Sequence, residues 1–159
     1  MSSEQPIDAG PGWEIDPETL RPRILDLDAF AHAFADDPHR DILIALHTGD
    51  PAAAHELITT KLQSDGGVRL RALLGDTLRD LGRHEEAITA YVDLVEECRG
   101  GPREAVMRQH LGKALFTAGR MAEAATEFEA ALALRIDSGA DPALIESSRR
   151  ALARAQRDV

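Results

Sequence analysis

A chain of 159 residues with a net charge of −10 and one cysteine is long enough for one domain that buries about two thirds of its unfolded surface. The negative charge excludes a general nucleic-acid or anionic-membrane binder, because both depend on clustered Lys and Arg. Cys98 alone excludes an intrachain disulfide and a zinc–thiolate cluster, and 43 % hydrophobic but only 4 % aromatic residues point to closely approaching helices.

Residues 1–25 carry Pro6, Gly10, Pro11, Gly12, Pro17 and Pro22 among acids, without periodicity. They read as an acidic arm with no fold of its own. Up to Asp37, nine carboxylates face two arginines, so this quarter holds seven of the ten net negative charges. Trp13, the sole tryptophan, reads either as a tail residue resting on the body or as an anchor that docks the arm onto its own chain or a neighbour.

Residues 26–36 predict a short amphipathic helix. Leu27, Phe30, Ala31 and Phe34 form one stripe, Asp26 or Asp28 starts it and Pro38 ends it. The two phenylalanines need burial, either at the open end of a helical stack or as a lid over its groove. Residues 38–63 read as a worn helical hairpin turning at Gly49-Asp50-Pro51, with Pro51 where a first-turn proline is tolerated.

Two clear hairpins follow, over 68–99 and 103–136, and they repeat one another at a period of 37 residues. Leu74-Gly75-x-x-Leu78, Gly82-Arg83 and Glu86-Ala87-x-x-x-Tyr91 return as Leu111-Gly112-x-x-Leu115, Gly119-Arg120 and Glu123-Ala124-x-x-x-Phe128. Glycine inside a helix costs about 1 kcal/mol relative to alanine. Accepting that cost twice at one place implies a close helix approach, with Ala87 and Ala124 as the small residues opposite and Tyr91 and Phe128 covering the gap to the following unit. A last helix over 141–157, with Asp141 as cap and Pro142 behind it, reads as a terminal cap whose Arg150, Arg154 and Arg157 face solvent.

These residues resemble the tetratricopeptide repeat, with its L-G pair, its A-x3-aromatic and its late proline, here Pro102. The resemblance covers about Arg40 to Gln156, although Arg71 and Arg108 stand at the family's tryptophan position. It implies an all-α fold of antiparallel helical hairpins stacked as a right-handed superhelix, closed by a C-terminal capping helix. It also implies a concave groove for a peptide or partner helix, lined by Arg69, Asp76, Arg79, Gln109, His110, Lys113, Phe116 and Arg149. Lys113 and Arg149 take equivalent places in successive units; they read as a pair for a carboxylate or as solvated groove charges.

No histidine pair has metal-ligand spacing, and no nucleophile elbow, Walker loop or dinucleotide fingerprint occurs. The expectation is therefore a non-enzymatic protein-binding scaffold without metal or cofactor. No apolar run approaches the ~18 residues of a membrane span, and no leader pattern is present, so the default is a soluble cytoplasmic protein. The alternative reading is a self-associating module, a homodimer in which the N-terminal segment fills its own or a neighbour's groove.

Overall fold

The computed structural model describes residues 4–159. Among them, helix α1 runs over Leu27–Ala33, α2 over Arg40–His47, α3 over Pro51–Leu62, α4 over Val68–Asp80 and α5 over His84–Glu97. They are followed by α6 over Glu104–Thr117, α7 over Met121–Asp137 and α8 over Pro142–Gln156. Consecutive helices pack against one another from α2 to α8, and α4 also touches α6. The molecule is mostly helical, a stack of helical hairpins.

Local chemistry sets the ends of these helices. Asp26, Asp50 and Asp141 each accept a backbone N–H from the first turn of α1, α3 and α8, which satisfies a donor the helix itself cannot. Gly82 has φ +78°, and around it Arg83 N donates to Leu78 O at 2.9 Å and Gly82 N to Arg79 O at 3.0 Å. That paired closure needs a left-handed residue. Gly119 repeats it, with Arg120 N donating to Leu115 O.

The helical glycines are explained by aromatic rings. A Cβ on Gly75 would stand 2.6 Å from Tyr91 Cε2, and one on Gly112 2.5 Å from Phe128 Cε1. Both rings are fully buried. Each ring lies on the glycine of its own unit, nearer to it than Ala87 or Ala124, while Tyr91 also reaches the following unit by stacking on His110.

The first 25 residues differ most from expectation. In place of an arm without a fold there is a three-stranded antiparallel sheet, β1 (Ile7–Gly10), β2 (Trp13–Ile15) and β3 (Pro22–Ile24), in the order β1-β2-β3; Met1–Ser3 lie outside the described residues. Gly12 holds the sheet to α1. Its carbonyl accepts from Leu25 N and Asp26 N, and at φ +77° a Cβ would lie 2.4 Å from Asp26 O. The fold is therefore not purely α, because this hairpin has a docking site its own sequence does not reveal.

That site is the body of the same chain. Trp13 meets Phe30 edge-on at 5.9 Å and stacks on His47 at 5.7 Å. Phe30 is fully buried with Ile42, Leu46, Ile58 and Leu70, at the first end of the stack. Leu20, at φ 57°, is buried with Ala151, Ala155 and Phe116 at the other end. Arg150, Arg154 and Arg157 do not face solvent alone: Arg150 donates to Gln5 O, Arg154 reaches Glu18 at 3.2 Å, and Arg157 reaches Glu4 at 3.0 Å. The acidic N-terminal quarter thus meets a basic face of α8. Exposed ion pairs of this kind contribute little each, so Trp13 and Leu20 supply most of the attachment.

Gly75→Ala and Gly112→Ala are expected to lose stability. Overpacking at a buried ring costs about 1–3 kcal/mol, which exceeds the ~1 kcal/mol helix gain. With a net loss of about 1–2 kcal/mol, calorimetry should show a Tm lowered by roughly 2–8 °C; an unchanged Tm would mean the rings move aside freely. A second expectation concerns His47, which burial pushes down from its ordinary 6.5 to about 4. The unfolded chain then binds the extra proton first, so stability is full above about 6.5 and is lost as pH falls towards 4, by on the order of 1–3 kcal/mol. His47→Gln should flatten that acid slope in urea titrations.

Candidate functional site

The even-numbered helices turn one face inward around a pocket of about 470 Å³. Leu43 and His47 come from α2, Val68, Ala72, Leu73 and Asp76 from α4, Val106, Met107, Gln109 and Lys113 from α6, and Leu144 and Ser147 from α8. Trp13, Ile15 and Pro22 of the sheet close one side. Since the sheet is attached near both α2 and α8, it crosses the concave face as a strap.

Of the eight groove residues expected from sequence, Arg69, Asp76, Arg79, Gln109, His110 and Lys113 line this pocket. Phe116 does not: it is 7 % exposed, packed in the core, with the Arg154 guanidinium 5.0 Å over its ring. Arg149 does not either. Helix α8 turns Ser148, Ala151 and Ala155 inward, which leaves Arg149 exposed and paired with Glu146 at 2.7 Å. Lys113 and Arg149 therefore form no pair across the groove.

The polar groups fall into two sets. In the first, Tyr91 Oη lies 2.6 Å from both Ala72 O and Asp76 Oδ1, one proton for two acceptors. Arg79 Nη1 donates to Asp76 at 3.3 Å and Nε to Asp80 at 2.9 Å. His110 stacks on Tyr91 at 5.6 Å, and its Nδ1 stands 3.3 Å from Asp76 Oδ1 but off the hydrogen-bond line. Burial alone would raise the Asp76 carboxyl, yet His110, Arg79 and Tyr91 together hold it well below the carboxylate range. Arg79, 3 % exposed, is committed to two carboxylates rather than left to read a partner's charge.

The second set has no acid. Arg135 of α7, buried at 6 % exposure, donates to Leu144 O and Ser148 Oγ, each at 2.8 Å. Ser148 Oγ in turn donates to Gln109 Oε1 at 2.7 Å. Because Arg135 occupies a lone pair of the hydroxyl, the serine proton goes to Gln109, which fixes the amide so that Nε2 points away. That Nε2 is buried without a hydrogen-bond partner among the described residues. Lys113 forms no ion pair among them either, and burial, then Arg79, lower its pKa to about 8. Burial lowers Arg135 as well. Arg135 escaped the sequence reading, although it occupies the place of Cys98 one period earlier and so belongs to the residues that differ between copies.

A family model of the tetratricopeptide repeat matches residues 68–99, which hold α4 and α5. No curated protein matches the chain, and no solved structure does. Among the described residues, no group of three or more His, Cys, Asp and Glu side chains is placed to hold a metal ion. No helix there is long and apolar enough to cross a membrane. The repeat match and the helical stack support a general protein-binding scaffold.

An unpaired, largely desolvated cation is held against stability. Lys113→Met should therefore stabilise the fold at neutral pH by on the order of 1–3 kcal/mol. The wild-type Lys113 pKa is depressed from 10.5 to about 8, so the unfolded chain binds more protons between those values and wild-type stability rises across them. The advantage of Lys113→Met, measured by urea unfolding, should shrink from pH 7 to pH 10. A destabilised variant would show that the ammonium serves the fold.

Proposed function

We propose that this chain is a non-catalytic protein-binding scaffold of the cytoplasm, whose hairpins stack as a right-handed tetratricopeptide-type superhelix and whose concave pocket takes a partner's segment. The observation that carries this reading is the second polar set: a buried arginine, a half-buried lysine and an oriented amide line an apolar pocket without an ion-paired acid of their own. Buried donors without partners are costly, and a partner that supplies the acceptors recovers that cost on binding. Arg69, Gln109, His110 and Lys113 are the contact residues and Arg135 joins them, while Asp76 and Arg79, held to one another, shape the same wall. The self-associating alternative has less support, since the segment expected to join a neighbour is docked on its own chain.

Affinity capture with wild type, Lys113→Glu and Arg149→Glu tests the site. Partners should be lost with Lys113→Glu and kept with Arg149→Glu, because only Lys113 faces the pocket. Equal loss from both variants, or loss from neither, would place binding elsewhere. The strap adds a second readout. Removing residues 1–37 would also remove Phe30 from the core and Asp37 from Arg69, whereas Gly12→Ala attacks the sheet's attachment alone. If the strap competes for the concave face, Gly12→Ala strengthens partner capture; weaker capture rejects competition.

A further inference from the structure

The pocket floor carries more positive charge than the fold accounts for. Five cations line it, Arg69, Arg79, Arg103, Lys113 and Arg135, in a chain of net charge −10. Three carboxylates answer them within ion-pair distance, Asp37 on Arg69 and Asp76 and Asp80 on Arg79. Two of the carboxylates fall on the one Arg79, so Lys113, Arg103 and Arg135 have no ion pair among the described residues, and Arg103 is an exposed rim residue. The inner pair, Lys113 and Arg135, lies beside Gln109, whose side chain is 96 % buried by its 4 % exposure.

Arg135, Ser148 and Gln109 form a fixed polar wall beside Lys113. The chain of hydrogen bonds from Arg135 through Ser148 to Gln109 leaves the amide one orientation, with Nε2 unpartnered and buried. Arg135 spends Nη1 on Leu144 O and Ser148, so its remaining N–H groups are open to an acceptor. The other walls are aliphatic, among them Leu73, Val106 and Met107. A few convergent polar groups in an apolar pocket of this size are the usual make-up of a small-molecule site, whose volumes run about 300–1,000 Å³.

We propose that the pocket binds a compact organic monoacid, one carboxylate on an aliphatic body, with Lys113 and Arg135 around the carboxylate, Gln109 fixed behind them, and the aliphatic side chains of α4 and α6 around the body. The proposal commits to a single carboxylate shared by the two inner cations; Asp76 stands in the same wall but is held by Arg79 and Tyr91. Enclosure fixes the size: an extended chain running from α2 to α8 meets the strap at Trp13, Ile15 and Pro22, whereas a compact acid fits beside it. The proposal rests on reading the concave pocket as the binding site.

The same chemistry has two sources, a free acid and the terminal carboxylate of a peptide, and the test separates them. Trp13 is the only tryptophan and lines the pocket, so its fluorescence reports occupancy without a label. The full chain is titrated with octanoate, 1-octanol, octyl phosphate, and a leucine-terminated hexapeptide as free acid and as amide. Octanoate should saturate the signal and bind about tenfold or more tightly than 1-octanol, the weight of one charge-assisted contact. Octyl phosphate should bind more weakly than octanoate. Lys113→Met should abolish the preference for octanoate over 1-octanol, and Lys113→Arg should keep it.

Equal binding of octanoate and 1-octanol, no saturable binding of octanoate, or an unchanged preference in Lys113→Met would each overturn the proposal. Tighter octyl phosphate would replace the monoacid by a phosphate ester. Binding of the peptide acid but not of octanoate would replace the free acid by a polypeptide. If octanoate fails while Lys113→Glu still loses captured partners, the monoacid falls and the pocket's role in protein binding stands.

Discussion

An aromatic ring laid on a helical glycine governs the two clear hairpins. Tyr91 on Gly75 and Phe128 on Gly112 leave no room for a Cβ, so each pair of helices is held at one separation by a rigid, fully buried plate. The ring type then decides what lies on the concave side. Tyr91 extends a hydroxyl to Asp76, and that carboxylate draws Arg79 and His110 around it. Phe128 has no hydroxyl, and Lys113 stands in place of Asp76. One unit is therefore electrostatically closed and the next is left open. The two differences, Tyr for Phe and Asp for Lys, are a single change in chemistry seen from both sides of the hairpin.

The strap binds the two ends of this stack together. Short repeat arrays bury little at their ends, and here both ends are served by one segment, Trp13 against Phe30 and His47, Leu20 against α8. The acidity of the N-terminal quarter has its counterpart in the arginines of α8. Opposite charges guide the segment to that face, and apolar burial keeps it there. The consequence for function is geometric: a concave face that would be an open groove becomes a pocket with a wall of sheet.

The unpaired cations of that pocket are hard to explain as architecture. Arg135 does brace α7 against α8 through Leu144 and Ser148, a structural role with a neutral acceptor set. Lys113 braces nothing among the described residues. Its ammonium is desolvated beside Arg79 and Arg135, and a methionine would fill the same space without a charge. Groups kept at a cost to stability belong to functional sites more often than to scaffolds, and the oriented Gln109 amide beside them needs an acceptor for the same reason.

Sequence by itself determined the hairpins, their turns and their caps. Helical stripes, glycines after the last turn and Asp-Pro starts act over three or four residues, so Gly82, Gly119, Asp141 and the repeated Leu-Gly pairs carry their meaning locally. It also marked Asp76 against Lys113 as the place where the copies part. Tertiary structure decided the rest. Residues 7–24 form a sheet because Gly12 fits against α1 and Trp13 finds His47, contacts that no local pattern announces. Arg79 is tied up by Asp76 and Asp80 of its own helix, Phe116 is covered by Arg154, Arg149 turns outward to Glu146 and Arg135 turns inward to Leu144 and Ser148 of α8, and only the packed helices show which of them is left free. A side chain's place on a helix face follows from the period of the helix; whether it is free to meet a ligand depends on which distant groups reach it first.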